Sequence, residues 1–232
     1  MRTVHIEPPA ELGTRDGLSY ALFLPQDDAG GGVVILHGAG SCKESHFDFA
    51  RALRAAGLAA VVFDQRGHGE SEGALGAGAV DDVATMAGLL APGPIALRGS
   101  SMGGFMALHA GARMGAAAVV AICPAWGELL LRGLRNDRFT FRADAPALEE
   151  LFAAADERAA AATLGERLLQ QHAEGDESVP IADSRALHEA APGSRLVAVP
   201  GGHHRSVQHD GEMQALAVRF VRRALRPRPA AG

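Results

Sequence analysis

Pro94-Ile95-Ala96-Leu97-Arg98-Gly99-Ser100-Ser101-Met102-Gly103-Gly104 is the stretch on which the fold turns. It follows a Pro-Gly break, and Pro94 to Leu97 reads as a short strand. From Met102 to Met114 small and apolar residues recur at helical spacing. Between the two, Gly99-Ser100-Ser101-Met102-Gly103 sets a serine two residues from a glycine on either side. A serine at such a strand-to-helix turn has a strained backbone. Small residues two before and two after it let neighbouring chain approach, and the turn pushes the hydroxyl out at the carboxyl end of the strand. The helix behind it aims free N–H groups and a positive dipole end at any anion that develops there. With 29 glycines in the chain, the spacing alone could arise from composition. Its placement between strand and helix makes Ser101 the candidate nucleophile, and Ser100, which lacks glycines at those offsets, a spacer.

Working outward, similar short runs recur at Leu18–Leu24, Val33–Leu36, Ala59–Phe63, Ala117–Ile122 and Arg195–Val199. Most are continuously apolar, as expected of strands buried on both faces of a parallel sheet. Helical segments lie between them at His46–Ala56, Ala79–Leu90, Met102–Met114, Ile181–Ala191 and Val207–Leu225. This alternation predicts an α/β fold, a mostly parallel sheet with helices on both faces. Cys123–Glu166 interrupts the rhythm with two charged helical pieces, Glu128–Leu134 and Pro146–Leu164, flanking Arg138–Arg142. That is too long for a plain connection. It predicts a small helical cap, at about 124–166, inserted in a single domain spanning 1–232. The tail Arg226–Gly232 is expected to fray.

Composition excludes several functions. The 232 residues carry a formal charge of −5, which argues against a nucleic-acid-binding surface. No run approaches the ~18 consecutive apolar residues of a membrane span. Met1–Leu12, with Glu7, Pro8 and Pro9, lacks the apolar core of a signal peptide, so the cytoplasm is the default location. Cys42 and Cys123 are the only cysteines and form no CxxC spacing, so no disulfide framework is expected. The 46 alanines, and 21 arginines against the single Lys43, read as the bias of a GC-rich, bacterial coding sequence.

Four further motifs line up along the chain. Leu36-His37-Gly38-Ala39-Gly40 follows one strand and Asp64-Gln65-Arg66-Gly67-His68-Gly69-Glu70-Ser71 the next. His172-Ala173-Glu174-Gly175-Asp176-Glu177-Ser178-Val179-Pro180 and Pro200-Gly201-Gly202-His203-His204 come late. Together with the Ser101 motif they resemble the serine hydrolases of the α/β-hydrolase superfamily. The likeness runs from about Gly17 to Leu225, in the branch holding small esterases, monoacylglycerol lipases, thioesterases and serine aminopeptidases. The resemblance implies the α/β-hydrolase fold with its cap after the sixth strand.

It also implies a triad in the order serine, acid, histidine. Asp176 falls on the acid position of the family's HGxxDxxVP pattern, with Glu174 and Glu177 as rivals and Ala173 standing where the family has glycine. The polar run Leu168-Leu169-Gln170-Gln171 before it is unusual for a central strand. The family's GxxH loop selects His204 over the adjacent His203. The oxyanion hole would be the backbone N–H groups of Ala39 and Met102. His37 would shape its loop and not serve as base. Asp64, Arg66 and His68 would fix a turn. His209 is expected to be exposed or locally hydrogen-bonded.

The implied chemistry is two-step acyl transfer on carboxylic esters of small or medium acyl groups, with a small-molecule ester as partner and no cofactor. Thioester or peptide cleavage on the same triad is the alternative. A haloalkane dehalogenase would need aspartate at Ser101 and a dienelactone-type hydrolase cysteine there. A non-catalytic binding protein is disfavoured by the intact triad. The His203-His204 pair has no third ligand at recognisable spacing, so no metal site is expected. In the cap, Trp126, Leu130 and Phe139 are the candidate substrate contacts. Arg132, Arg135, Arg138 and Arg142 are either solvated charges or a site for an anionic group. Oligomeric state is not encoded in any motif.

Overall fold

The computed structural model describes residues 6–27 and 31–226. The expected fraying after Arg226 lies outside them, as does the start of the Met1–Leu12 segment. Eight strands form one sheet: β1 Glu11–Arg15, β2 Leu18–Phe23, β3 Gly32–Leu36, β4 Ala60–Phe63, β5 Ile95–Ser100, β6 Ala118–Ile122, β7 Leu168–Ala173 and β8 Arg195–Val199. Their spatial order is β1-β2-β4-β3-β5-β6-β7-β8. The β1–β2 and β2–β4 pairs are antiparallel and all later pairs parallel.

The central strands are apolar throughout because each has a core on both sides. Val34, Leu36, Val61, Phe63 and Leu97 point into one buried cluster, and Val33, Ile35, Ala60, Val62 and Ala96 into the other. The first side is covered by α2 (Ala79–Ala87), α3 (Met102–Met114) and α7 (Ile181–Ala190), through side chains such as Val83, Met86, Phe105 and Leu187. The second is covered by α1 (Phe47–Ala55) and α9 (Gly211–Leu225), through Phe49, Leu53, Ala217 and Val221.

Three elements depart from the sequence reading. β1 was not anticipated: its residues, Glu-Leu-Gly-Thr-Arg, are mostly exposed on the sheet edge, so no apolar alternation marks it. The Val207–Leu225 segment is two helices, α8 (Ser206–His209) and α9, because the Asp210 carboxylate accepts from the N–H groups of Glu212 and Met213 and starts a new helix. Pro146–Leu164 likewise divides. After α4 (Gly127–Arg135), α5 (Ala145–Ala153) is capped by Asp144 and α6 (Glu157–Leu164) by Asp156. These three helices lie between β6 and β7. No described helix is long and apolar enough to cross a membrane.

Candidate active site

β5 continues to Ser100, and Ser101 is the N-cap of α3 with φ 55° and ψ −118°. That left-handed φ is strained for a residue with a side chain. The surrounding backbone holds it: the Ser101 N–H donates to the Ile122 carbonyl at 2.9 Å, and its own carbonyl accepts from Phe105 N at 3.1 Å and Ala125 N at 3.2 Å. The flanking glycines are sterically required. A Cβ on Gly99 would overlap the Gly103 carbonyl, and one on Gly103 would lie 2.5 Å from the carbonyl oxygens of Leu36 and His37. The loop after β3 therefore runs against the Ser101 turn. Gly38 is so close that an added Cβ would lie 3.3 Å from the Ser101 Cβ. Ala39 follows on the same β3 loop and lines the cavity with Ser101, and Met102 is the first residue of α3.

The late loops meet at the carboxyl ends of β7 and β8. Asp176 Oδ1 accepts from the N–H groups of Ser178 at 2.8 Å and Val179 at 2.9 Å, leaving Oδ2 to accept from His204 Nδ1 at 2.7 Å. Burial opposes ionisation of Asp176. The His204 bond and the two backbone N–H groups outweigh it and hold the carboxyl down at about 2. The rivals sit elsewhere: Glu174 lies 3.7 Å from Arg185, and Glu177 is exposed. His203 is exposed, its ring nitrogen accepting from Arg205 N at 3.3 Å, so the adjacent histidines face different ways. His209 is tied to Asp48 at 2.9 Å on the surface.

Ser101, His204, Ala39, Leu130 and Phe139 line one cavity of about 260 Å³, with Arg132 of α4 and Arg138 just after it at its wall. Trp126 is not part of this lining. Its ring turns toward α6, where the Arg158 guanidinium lies 5.7 Å from it. A larger depression of about 910 Å³, lined by Leu24, Arg51, Arg54 and Leu225, brings together no nucleophile and base among the described residues.

The other histidines of the motifs are structural. His37 Nδ1 donates to the Gly38 carbonyl at 2.8 Å while Nε2 accepts from Gln65 N at 3.0 Å. Burial pulls it down to about 4, so it stays neutral at physiological pH. His172, beneath Asp176, bridges the Val179 carbonyl at 2.9 Å and Ser184 Oγ at 2.8 Å.

The Asp64–Ser71 turn does more than close on itself. Arg66 forks onto Asp82 of α2 at 2.9–3.1 Å. Gly67 accepts from Arg142 N, and a Cβ there would overlap the Arg142 carbonyl, so the turn docks the segment between α4 and α5. His68 stacks on Phe141, which stacks on Phe139, so an aromatic column links this turn to the cavity wall.

Two participants carry no sequence signal of their own. Lys43, the sole lysine, is only 2% exposed and reaches Asp64 at 2.8 Å and Glu70 at 2.7 Å. It pins the β3 loop to the Asp64 turn. Cys123, at φ 42° just after β6, places its thiol with the Asp176 carboxylate and the His204 ring, all within 4.8 Å of one another. Burial, with Asp176 adding to it, pushes that thiol up to about 12. The trio could hold a soft divalent ion only by giving up the His204–Asp176 hydrogen bond.

Comparison with known proteins agrees with this architecture. The serine aminopeptidase family S33 matches residues 27–135. No curated protein sequence matches the chain. Est1E from Butyrivibrio proteoclasticus, solved with ferulic acid bound, superposes with a TM-score of 0.72 at 18% identity, covering 93% of this chain and 98% of that one. The monoacylglycerol lipase of Paleococcus ferrophilus gives 0.65 at 21% identity, covering 90% and 98%. A bromoperoxidase from Bacillus anthracis gives 0.66 at 19%, covering 88% and 95%. The chain has the fold of these α/β hydrolases.

Proposed function

We propose that the protein is a serine hydrolase that cleaves carboxylic esters of small or medium acyl groups through Ser101, His204 and Asp176. The observation that carries this reading is the shared cavity: the strained Ser101 and the Asp176-bonded His204 line the same space. With Nδ1 committed to Asp176, the His204 ring has Nε2 left for the serine proton. Ser101 Oγ attacks the ester carbonyl as Nε2 takes its proton. The tetrahedral oxyanion is met by the N–H groups of Ala39 and Met102, and the leaving alcohol departs with the proton from His204. Water then repeats the sequence on the acyl-enzyme. Such preorganised donors are worth about 3–4 kcal/mol each. On the same reading, residues 124–166 are a cap on a single domain, and the substrate is a small molecule. The S33 family match over residues 27–135 supports a second reading, amide cleavage by the same triad.

The test is hydrolysis of an acyl-length series of p-nitrophenyl esters and thioesters, wild type against Ser101→Ala, with fluorophosphonate labelling alongside. Ester turnover and labelling that both vanish in Ser101→Ala are expected. An enzyme that neither labels nor cleaves any member overturns the hydrolase reading. Cleavage of aminoacyl p-nitroanilides but not of the esters moves it to peptidases.

A further inference from the structure

Resting on that hydrolase reading, we infer that the substrate carries a carboxylate beside its ester, and that Arg138 receives it. The four cap arginines are not equivalent. Arg132 pairs with Glu128 at 3.0 Å one helical turn away, and Arg135 with Glu149 at 2.9 Å. Arg142 donates to the Ser71 carbonyl at 3.2 Å and helps fasten the cap. Arg138 has no acid and no carbonyl partner among the described residues, and it is the one that lines the Ser101 cavity with its charge uncompensated.

Its position is built. α4 ends in a Schellman closure: Asp137, at φ 51°, donates its N–H to the Leu134 carbonyl at 3.1 Å, and Arg138 donates its own to the Gly133 carbonyl at 3.0 Å. The two bonds fix the Arg138 backbone at the edge of the cavity and leave the guanidinium free.

The surroundings favour an anion. None of the residues lining the cavity is Asp or Glu. The neighbouring wall is apolar, with Leu130, Phe139 and Val179, while Arg138 itself is exposed at the mouth. The chain as a whole is acidic at −5, so a cleft whose charge is positive is not a by-product of general basicity. A guanidinium offers a carboxylate two parallel N–H donors. The carboxylate belongs to the acyl part or to the alcohol part, and matched pairs of substrates separate the two.

Mono-(4-nitrophenyl) glutarate is compared with its methyl ester, and 4-acetoxybenzoate with methyl 4-acetoxybenzoate, at low ionic strength. The free acid should exceed its methyl ester in kcat/KM by about two- to fivefold in at least one pair, the range of an exposed ion pair. That ratio should fall to near one in Arg138→Gln, be retained in part by Arg138→Lys, and shrink in 1 M salt, where the Debye length is about 3 Å. Equal rates for acid and methyl ester in both pairs overturn this proposal and leave the hydrolase reading standing, as does a preference that survives Arg138→Gln. If no ester is cleaved and fluorophosphonate leaves Ser101 unlabelled, the hydrolase reading has failed and takes this one with it.

Discussion

Replacing Lys43 by methionine tests whether one buried cation holds the β3 loop in place. Methionine keeps most of the aliphatic stem and removes the ammonium. What remains is the Asp64 carboxylate, 0% exposed, with only the N–H groups of Lys43 at 2.7 Å and Glu70 at 3.0 Å to receive. Stranding a buried charge this way costs about 3–5 kcal/mol. The two backbone donors, charge-assisted bonds worth about 1.5–3 kcal/mol each, survive and put the figure at the low end, near 3 kcal/mol. The Glu44 and Glu70 pairs add little, because those carboxylates are 53% and 76% exposed.

At about 2–4 °C per kcal/mol for a chain of this size, Tm should drop by roughly 6–12 °C. Removing both charges, in Lys43→Met with Asp64→Asn, should cost less than the sum of the two single changes, with a coupling of about 2 kcal/mol. Calorimetry on the four proteins measures both quantities. Because Lys43 lies four residues beyond Ala39, kcat on p-nitrophenyl butyrate should fall with the stability. A Tm within about 2 °C of wild type, or additive single effects, would refute the reasoning.

Three other outcomes are expected. Gly103→Ala, whose Cβ would lie 2.5 Å from two backbone carbonyl oxygens that cannot swing away, should cost more than about 4 kcal/mol or prevent folding. Gly57→Ala, at φ +78° with open space around it, should cost only about 1–2 kcal/mol; equal losses in urea melts would refute the steric argument. The Asp176 carboxyl is depressed to about 2 on folding, so its stabilisation is complete above the ordinary carboxylate range and drains away as pH falls toward that value. The gap in stability between wild type and Asp176→Asn, of the order of 2 kcal/mol at neutral pH, should therefore close between about pH 4 and pH 2; a flat gap across that window is the contrary result. Arg98 is fully buried on β5, 4.1 Å over the Phe49 ring, and donates to the Gln208 carbonyl of α8 at 2.9 Å, so it ties the strand leading to Ser101 to the helix that follows His204. No carboxylate reaches it among the described residues, so Arg98→Met strands no anion: Tm should move by less than about 5 °C while kcat/KM falls about tenfold, and unchanged kcat/KM would show that α8 holds His204 unaided.

Much of the molecule was legible because local rules and global fold agree. The runs around Val33–Leu36, Ala59–Phe63 and Ala117–Ile122 are apolar at every position because both faces of the sheet are covered. α3 begins and ends where the sequence places it, since the chain turns sharply at Ser101, φ 55°, and Gly115, at φ 65°, closes it. β7 was readable despite Gln170 and Gln171. Gln171 is tolerated in the interior because its amide donates to the Met213 carbonyl at 2.8 Å; nothing in the structure explains Gln170, whose side chain finds no partner among the described residues. The break at Asp210 and the cap at Asp156 were available signals, a short carboxylate two or three residues ahead of the N–H groups it accepts.

The sequence by itself determined the α/β architecture and the strand-turn-helix at Ser101, because each is written in residues that are neighbours or follow a fixed period; Asp176 and His204 were singled out through the resemblance of their loops to family patterns. Only the tertiary structure decided which side chains meet. It turned His204 and not His203 toward Asp176, set the lone Lys43 against Asp64, and moved Trp126 out of the cavity wall. It also divided four similar arginines into three with partners and one without any among the described residues. Partners 4, 14 and 71 residues apart in the chain make those three contacts. Composition could only call the arginine excess a coding bias. Charge pairing is a property of distance in space, and for most of these residues the chain must fold before that distance exists.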